Sequence, residues 1–238
     1  PVITAPLPMQ SYRNIRFEVL RAQPICPLPG DATVDEVWQT IKATPIRKAP
    51  GPANIPSIIF KLLPISVLEI FTKLINSIST LTYFPKPWKR ATIIIPKLSN
   101  PHSLPQNRRP ISLLTTMAII AGNIILNRLI PIIQPSIPPQ KYGNNKKIST
   151  TQAIIQVLDY VSRSFRHRHP PRLVFLDLNK KFATVDHPTL ISTLDQFHPP
   201  EPWLKLIITY LSERIFQVRI GNVLLTPKNM MTGVPQGS

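Results

Sequence analysis

Asp177 closes a short apolar run, Leu173-Val-Phe-Leu176, and an aromatic residue, Phe182, follows five positions later. A β-type run ending on one aspartate delivers a carboxylate to the rim of a sheet, where Mg2+, a hard cation that wants oxygen ligands, can use it. Two such ions about 3.5–4 Å apart are what nucleotidyl transfer needs, one to activate a hydroxyl and one to hold the leaving phosphates. Taken alone, an aspartate at a strand's end is more often a turn residue or a helix cap, and Phe182 a core aromatic. Arg109 offers a planar donor fork suited to phosphate, and Lys97 follows an apolar strand, a place where a lone lysine is usually solvated. In Gly233-Val-Pro-Gln-Gly237 the glycines permit close backbone approach.

Other polar groups have plainer readings. Arg163, Arg166, His167, Arg168 and His169 form a basic cluster without the further Cys or His that a zinc site would need, so a solvated or phosphate-facing loop is expected. Asp186, just ahead of Pro188, reads as a helix cap.

The elements that must position these residues follow from spacing. Thr33-Val-Asp-Glu36 is a capping box opening a helix to about Lys42, and Ser66-Val-Leu-Glu69 repeats the device ahead of Leu68, Phe71, Leu74, Ile75, Ile78 and Leu81, a helical stripe stopped by Pro85-Lys-Pro87. Ala91–Ile95 reads as a strand ended by Pro96. Met117–Leu129 and Thr151–Phe165 read as helices, the second with Ile154, Val157, Leu158, Val161 and Phe165 on one side, and a polar loop, Tyr142–Ser149, lies between them. Leu173–Asp177 is expected to be the central strand, with proline-opened helices at Pro188–Phe197 and Pro202–Leu211. Ile215–Ile220 alternates apolar and polar residues, then turns at Gly221-Asn222 into Val223–Thr226, a two-residue hairpin. Helices first, then strands interleaved with helices, imply an α+β fold.

Composition narrows the partners. Lys and Arg total 28 against 11 Asp and Glu, and a net charge of +17 makes a polyanion the default ligand, nucleic acid before membrane. The longest apolar stretch, roughly Leu113–Leu126, is broken by Thr115, Thr116, Gly122 and Asn123 and falls short of the about 20 residues a bilayer requires, so no transmembrane helix is expected. Cys26 stands alone, a buried or incidental thiol suited to a reducing compartment. The 29 prolines and 7 glycines invert the usual balance and work against a well-formed fold, a hint of sequence decay. Residues 1–30 are Pro-rich and read as a leader or linker, and the start, without Met, reads as part of a longer frame.

Arg47-Lys-Ala-Pro-Gly-Pro52, Phe84-Pro-Lys-Pro-Trp-Lys-Arg90, Ala91-Thr-Ile-Ile-Ile-Pro-Lys97, Arg109-Pro-Ile-Ser-Leu-Leu114, the Asp177 strand and Gly233-Val-Pro-Gln-Gly-Ser238 stand in an order and spacing that resembles the N-terminal part of reverse transcriptases from non-long-terminal-repeat, LINE-type retrotransposons, jockey-like ones in particular. The resemblance covers residues 33 to 238. It implies a right-hand polymerase with fingers at 31–165, the first part of the palm at 166–238 and no thumb. By that resemblance Asp177 and the carbonyl of Leu178 are metal ligands for Mg2+, and Phe182 packs under the incoming sugar. Arg109 and Lys97 meet the triphosphate, and Gln236 and Gly237 support the nascent pair. The implied partners are an RNA template, a DNA primer and deoxynucleoside triphosphates, with work in nucleus and cytoplasm and no membrane.

Several family positions differ. The family's Asp-Gly after Gly-Pro is Ala53-Asn54, its Phe-Asp after the catalytic strand is Phe182-Ala183, and Lys181 and Arg108 replace an Ala and a Tyr. Its Gly-Phe-Arg-x-Gly loop is Gly143-Asn-Asn-Lys-Lys147. These positions bear on template and nucleotide handling. The family's aromatic-x-Asp-Asp hairpin does not occur in the 238 residues, so an inactive fragment is expected. The alternatives are a non-enzymatic nucleic-acid-binding module that keeps the basic surface, or a decayed remnant.

Overall fold

Two parallel strands with a long helical connection need helices to cover their sheet, and these supply the architecture. Residues 7–95, 110–143, 148–167, 170–178 and 181–235 are described in the computed structural model. They form α1 (Leu7–Ala22), α2 (Val34–Ala43), α3 (Ser57–Lys61), α4 (Ile65–Leu81), a 3-10 turn at Lys86–Lys89, β1 (Arg90–Ile94), β2 (Ile111–Leu114), α5 (Thr116–Ile133), α6 (Thr150–Arg166), α7 (His187–Asp195), α8 (Glu201–Leu211), β3 (Arg214–Ile220), β4 (Val223–Leu224) and β5 (Lys228–Met230). Two compact units result, Pro1–Ile132 with Lys180–Ser238, and Ile133–Asn179. The mixed α/β content with one small sheet agrees with the expected class.

In the larger unit the sheet runs β2-β1-β3-β4, with β5 also on β3. β1 pairs antiparallel with β2, Ala91 opposite Leu114, and parallel with β3, Arg90 beside Ile215. The hairpin forms with the expected two-residue loop, Ile220 opposite Val223 and Gly221 at φ +60°. β4 stops at Leu224, the Leu225 amide still donates to the Val218 carbonyl at 2.9 Å, and the ladder resumes at Lys228 with its register shifted by one residue, a bulge that accommodates Pro227.

Residues 7–22 correct the reading of 1–30 as an irregular leader. α1 buries Phe17 and Leu20 against Ile191 of α7 and Leu204, Ile208 and Leu211 of α8. Arg16 bonds Asp195 at 3.1 Å and Glu201 at 3.1 Å, tying the helix to both partners. The stripe is too narrow to show periodicity because the helix depends on tertiary contacts more than on its own pattern. A second, aromatic core joins Phe60, Phe71, Trp88, Phe84 and Tyr210, with ring centroids 4.9–6.5 Å apart.

The caps came out differently. Thr33 Oγ1 accepts from the Glu36 amide at 3.1 Å, but the Glu36 carboxylate is drawn away by Arg128, so only half of the expected box forms. At Ser66 there is no cap. Pro64 holds the N-cap position, its carbonyl accepting from Val67 and Leu68, so the helix begins two residues before Ser66 could cap it. α4 ends on Thr82 at φ +44°, ahead of the prolines.

α5 and the following turn, Thr116–Ser136, span 21 residues and contain an 18-residue window of mean hydropathy 1.7, which by length and composition is enough to cross a membrane. The expectation that this apolar stretch falls short needs correction, because Asn127, Arg128 and Pro131 do not interrupt the helix. Arg128 is satisfied by Glu36 at 2.7 Å and by the carbonyls of Gly30 and Asp31. Ala118, Ile120, Ala121, Ile124 and Leu129 are buried, as in a core helix of the same length. Cys26 is exposed, not buried.

In the smaller unit α6 opens on a Ser149–Gln152 capping box. Its expected apolar side forms, yet Ile154, Leu158 and Phe165 are exposed and no residue of the helix is buried. Leu173–Asp177 is not a strand. The run is irregular, with Phe175 and Leu176 87% and 90% exposed. A strand requires a ladder partner, and among the described residues none pairs with it; β2 and β3 already occupy both edges of β1.

Candidate functional site

The turn that carries Phe182 is clasped by the segment leading into Gly233. The Val234 amide donates to the Phe182 carbonyl at 2.7 Å, the Gly233 amide to the Val185 carbonyl at 2.8 Å, and Thr232 Oγ1 to the Ala183 carbonyl at 3.4 Å. Gly233 has φ +84°, and a Cβ there would sit 2.8 Å from the carbonyl oxygens of both Phe182 and Ala183. Only glycine fits. Lys181 Nζ lies 5.1 Å from the centre of the half-buried Phe182 ring.

α7 starts immediately after this turn. Asp186 caps it as expected, its Oδ2 accepting from the Thr189 amide at 2.9 Å. His187, buried, closes the clasp: its Nε2 is 2.8 Å from the Gly233 carbonyl, and because a carbonyl only accepts, that nitrogen carries the proton.

Two of the expected motifs therefore meet, Phe182 and Gly233-Val234, both in the larger unit. Asp177 and Leu178 belong to the smaller unit, exposed on the irregular run. Lys97, Arg109, Gln236 and Gly237 lie outside the described residues. Among the described residues no three His, Cys, Asp or Glu side chains gather as a metal site. The described residues thus gather no two-ion donor set around Asp177, and no step is derived through a metal.

The Pro50-Gly51-Pro52 segment also finds a structural reason. A Cβ on Gly51 would fall 2.2 Å from the Leu114 carbonyl oxygen, so the loop lies directly on the end of β2. Asn54 takes φ +52° where the family has glycine, and its amide donates to the Gly51 carbonyl at 2.9 Å. Asparagine is among the few side chains that adopt this left-handed conformation readily, so the turn survives the change.

Beside the clasp opens a cavity of about 890 Å3, walled by Pro52 and Ala53, by Thr115 ahead of α5, by His187, and by Arg21, Lys86, Arg90, Glu213 and Arg214. The topology gathers the cations, since β1 and β3 are parallel and begin together on Arg90 and Arg214. Glu213 bonds Lys86 at 3.0 Å; that partner lowers the Glu213 carboxyl and raises the Lys86 ammonium. Arg214 is 1% exposed, its Nη1 donating to the Tyr210 carbonyl at 2.8 Å and its guanidinium 4.6 Å from the Tyr210 ring centre. Burial pushes its pKa below the ordinary arginine value. Neighbouring Lys89, buried over the Tyr83 ring, is pushed down to about 8, chiefly by burial. Sequence reasoning missed this wall: an arginine opening an alternating strand looks like any surface residue, and only the parallel pairing of β1 with β3, Arg90 beside Ile215, brings it to the same end of the sheet as Arg90.

These features are a mixed α/β fold and a glycine-clasped aromatic turn beside a basic cavity. The family profile described as "Reverse transcriptase (RNA-dependent DNA polymerase)" matches residues 95–238. The protein named "Probable RNA-directed DNA polymerase from transposon BS" of Drosophila melanogaster is 32% identical over 188 residues, which cover 78% of this chain and 21% of that protein. The "RNA-directed DNA polymerase from mobile element jockey" of the same species is 31% identical over 181 residues, 75% of this chain and 20% of its own length. The "Retrovirus-related Pol polyprotein from type-1 retrotransposable element R2" of Popillia japonica is 27% identical over 157 residues, 65% of this chain and 22% of its own. The chain belongs to the reverse transcriptase family, on the LINE-type side, and spans about a fifth of the length of these relatives.

Proposed function

We propose that this chain is the fingers and the first part of the palm of a retrotransposon reverse transcriptase, a piece that copies an RNA template onto a DNA primer only together with further palm and thumb. The reading is supported above all by the clasp between Phe182 and Gly233-Val234, which joins two of the segments that carry the family resemblance. Asp177 and the Leu178 carbonyl would give one end of a Mg2+ site when a partner strand draws residues 173–178 into a sheet. Arg109 and Lys97 would meet the triphosphate of the incoming deoxynucleotide. Nuclear and cytoplasmic work follows from the same reading.

One carboxylate does not hold two divalent ions, so the chain alone is inactive in this account. Primer extension on an RNA template with Mg2+ or Mn2+ tests it. The 238-residue chain should incorporate no nucleotide, and the chain joined to the aromatic-x-Asp-Asp hairpin and thumb of a related element should extend. Failure of the joined protein to extend, while folded and binding primer–template, contradicts the reading. The basic cavity favours a second reading, a nucleic-acid-binding module without catalysis, which predicts binding in both proteins and extension in neither.

A further inference from the structure

We propose that the cavity walled by Arg21, Lys86, Arg90 and Arg214 is a phosphate-binding site that takes a backbone phosphate of a nucleic-acid strand, with Arg214 Nε and Nη2 as its buried donors. Both nitrogens are buried and have no hydrogen-bond partner among the described residues. A buried guanidinium normally has its fork filled, because an unpaired buried donor costs about 1–3 kcal/mol and more when charged. The nearest carboxylate by sequence, Glu213, is held by Lys86 and leaves the fork open. Arg214 Nη1 on Tyr210 fixes the plane of the group, so Nε and Nη2 stand ready as a bidentate pair, the geometry phosphate oxygens match.

The surroundings favour an anion carried on a strand. Arg21 and Arg90 are exposed at the same wall, so positive charge continues outward from the buried fork. Thr115 lies at the start of an 18-residue helix whose N-terminal end adds partial positive charge. A volume of about 890 Å3 exceeds what one phosphate fills and leaves room for the sugars flanking it.

The site rests on the cavity's geometry, and its failure would leave the polymerase reading to the separate extension assay. Fluorescence polarisation of the full chain with a labelled single-stranded oligodeoxynucleotide is the measurement, with unlabelled deoxynucleoside triphosphate as a second probe. Arg214→Met should weaken oligonucleotide binding about tenfold or more and reduce the salt slope by about 1. Arg90→Gln should act in the same direction. Lys73→Gln, which loses the same charge on α4 away from the cavity, should change binding much less. If Arg214→Met does not fold, Arg90→Gln and Arg21→Gln at exposed positions carry the test. Equal losses in the cavity variants and in Lys73→Gln would overturn the site. A loss confined to triphosphate binding would overturn the strand assignment and give the cavity to free nucleotides.

Discussion

The amide of Val234 donates to the carbonyl of Phe182 at 2.7 Å, so two segments 52 positions apart form one backbone junction. Gly233 makes the junction possible, for its φ of +84° and missing side chain let the strands of chain pass at contact distance. The aromatic turn is thereby held from the loop side, independently of the run that precedes it.

Gly233→Ala tests the junction. The alanine would take a left-handed conformation and press its methyl on two carbonyl oxygens at 2.8 Å, for a loss of about 2 kcal/mol or more. Gly122→Ala, in α5 with nothing within 4 Å of the new Cβ, should instead stabilise by about 0.5–1 kcal/mol. Urea denaturation of both variants gives the comparison, and equal effects would contradict it.

Lys89 predicts a pH dependence. Its folded pKa of about 8 lies below the ordinary 10.5. Below about pH 8 both folded and unfolded states carry the proton, and the fold bears the full cost of the buried charge. Between about 8 and 10.5 the folded state has released its proton first, so stability rises with pH. Lys89→Met should therefore be more stable than the parent at pH 7, by up to about 3 kcal/mol. The gap should close by about pH 10.5, and denaturation curves at both pH values check it. A gap that does not shrink would show the ammonium is not buried at a cost.

Leu173, Val174, Phe175, Leu176 and Leu178 are all exposed on one irregular run, as are Ile154, Leu158 and Phe165 of α6. Such apolar surface invites other chains. The chain alone should associate, and Phe175→Lys with Leu176→Lys should raise the monomer fraction in size-exclusion chromatography with little change in melting temperature. An unaltered, monomeric parent would contradict this.

What could be read from sequence was local. β1, the Ile215–Ile220 hairpin and the Asp186 cap follow from alternation, a Gly-Asn turn and a side-chain oxygen within reach of an amide. The family motifs singled out Phe182 and Gly233-Val234 but not how they touch, since the junction joins backbone atoms that any residue carries. α1 was missed because Phe17 and Leu20 are a thin stripe between arginines, held by Asp195 and Glu201 from the far end of the chain. Leu173–Asp177 was read as a strand from its apolar residues alone, and strand formation is decided by a partner. Arg214 was invisible for a like reason: its burial, with its guanidinium on the Tyr210 ring and carbonyl, follows from how α8 turns back into β3, which no pattern of residue types displays.

The charge of +17 predicts binding to single strands and hybrid duplexes with little sequence preference. With about four phosphates engaged, affinity should fall roughly a hundredfold between about 50 and 200 mM salt, through counterion release. Titrations at several salt concentrations measure the slope, and a flat response would show that the charge does not meet phosphate.

Asp177 carries the central claim. In the chain completed with a related palm hairpin and thumb, Asp177→Ala should abolish RNA-templated nucleotide incorporation, by about a thousandfold or more, while primer–template affinity stays near the parent's, because the loss falls on metal-assisted chemistry and not on binding. Incorporation by Asp177→Ala at the parent's rate would contradict the account.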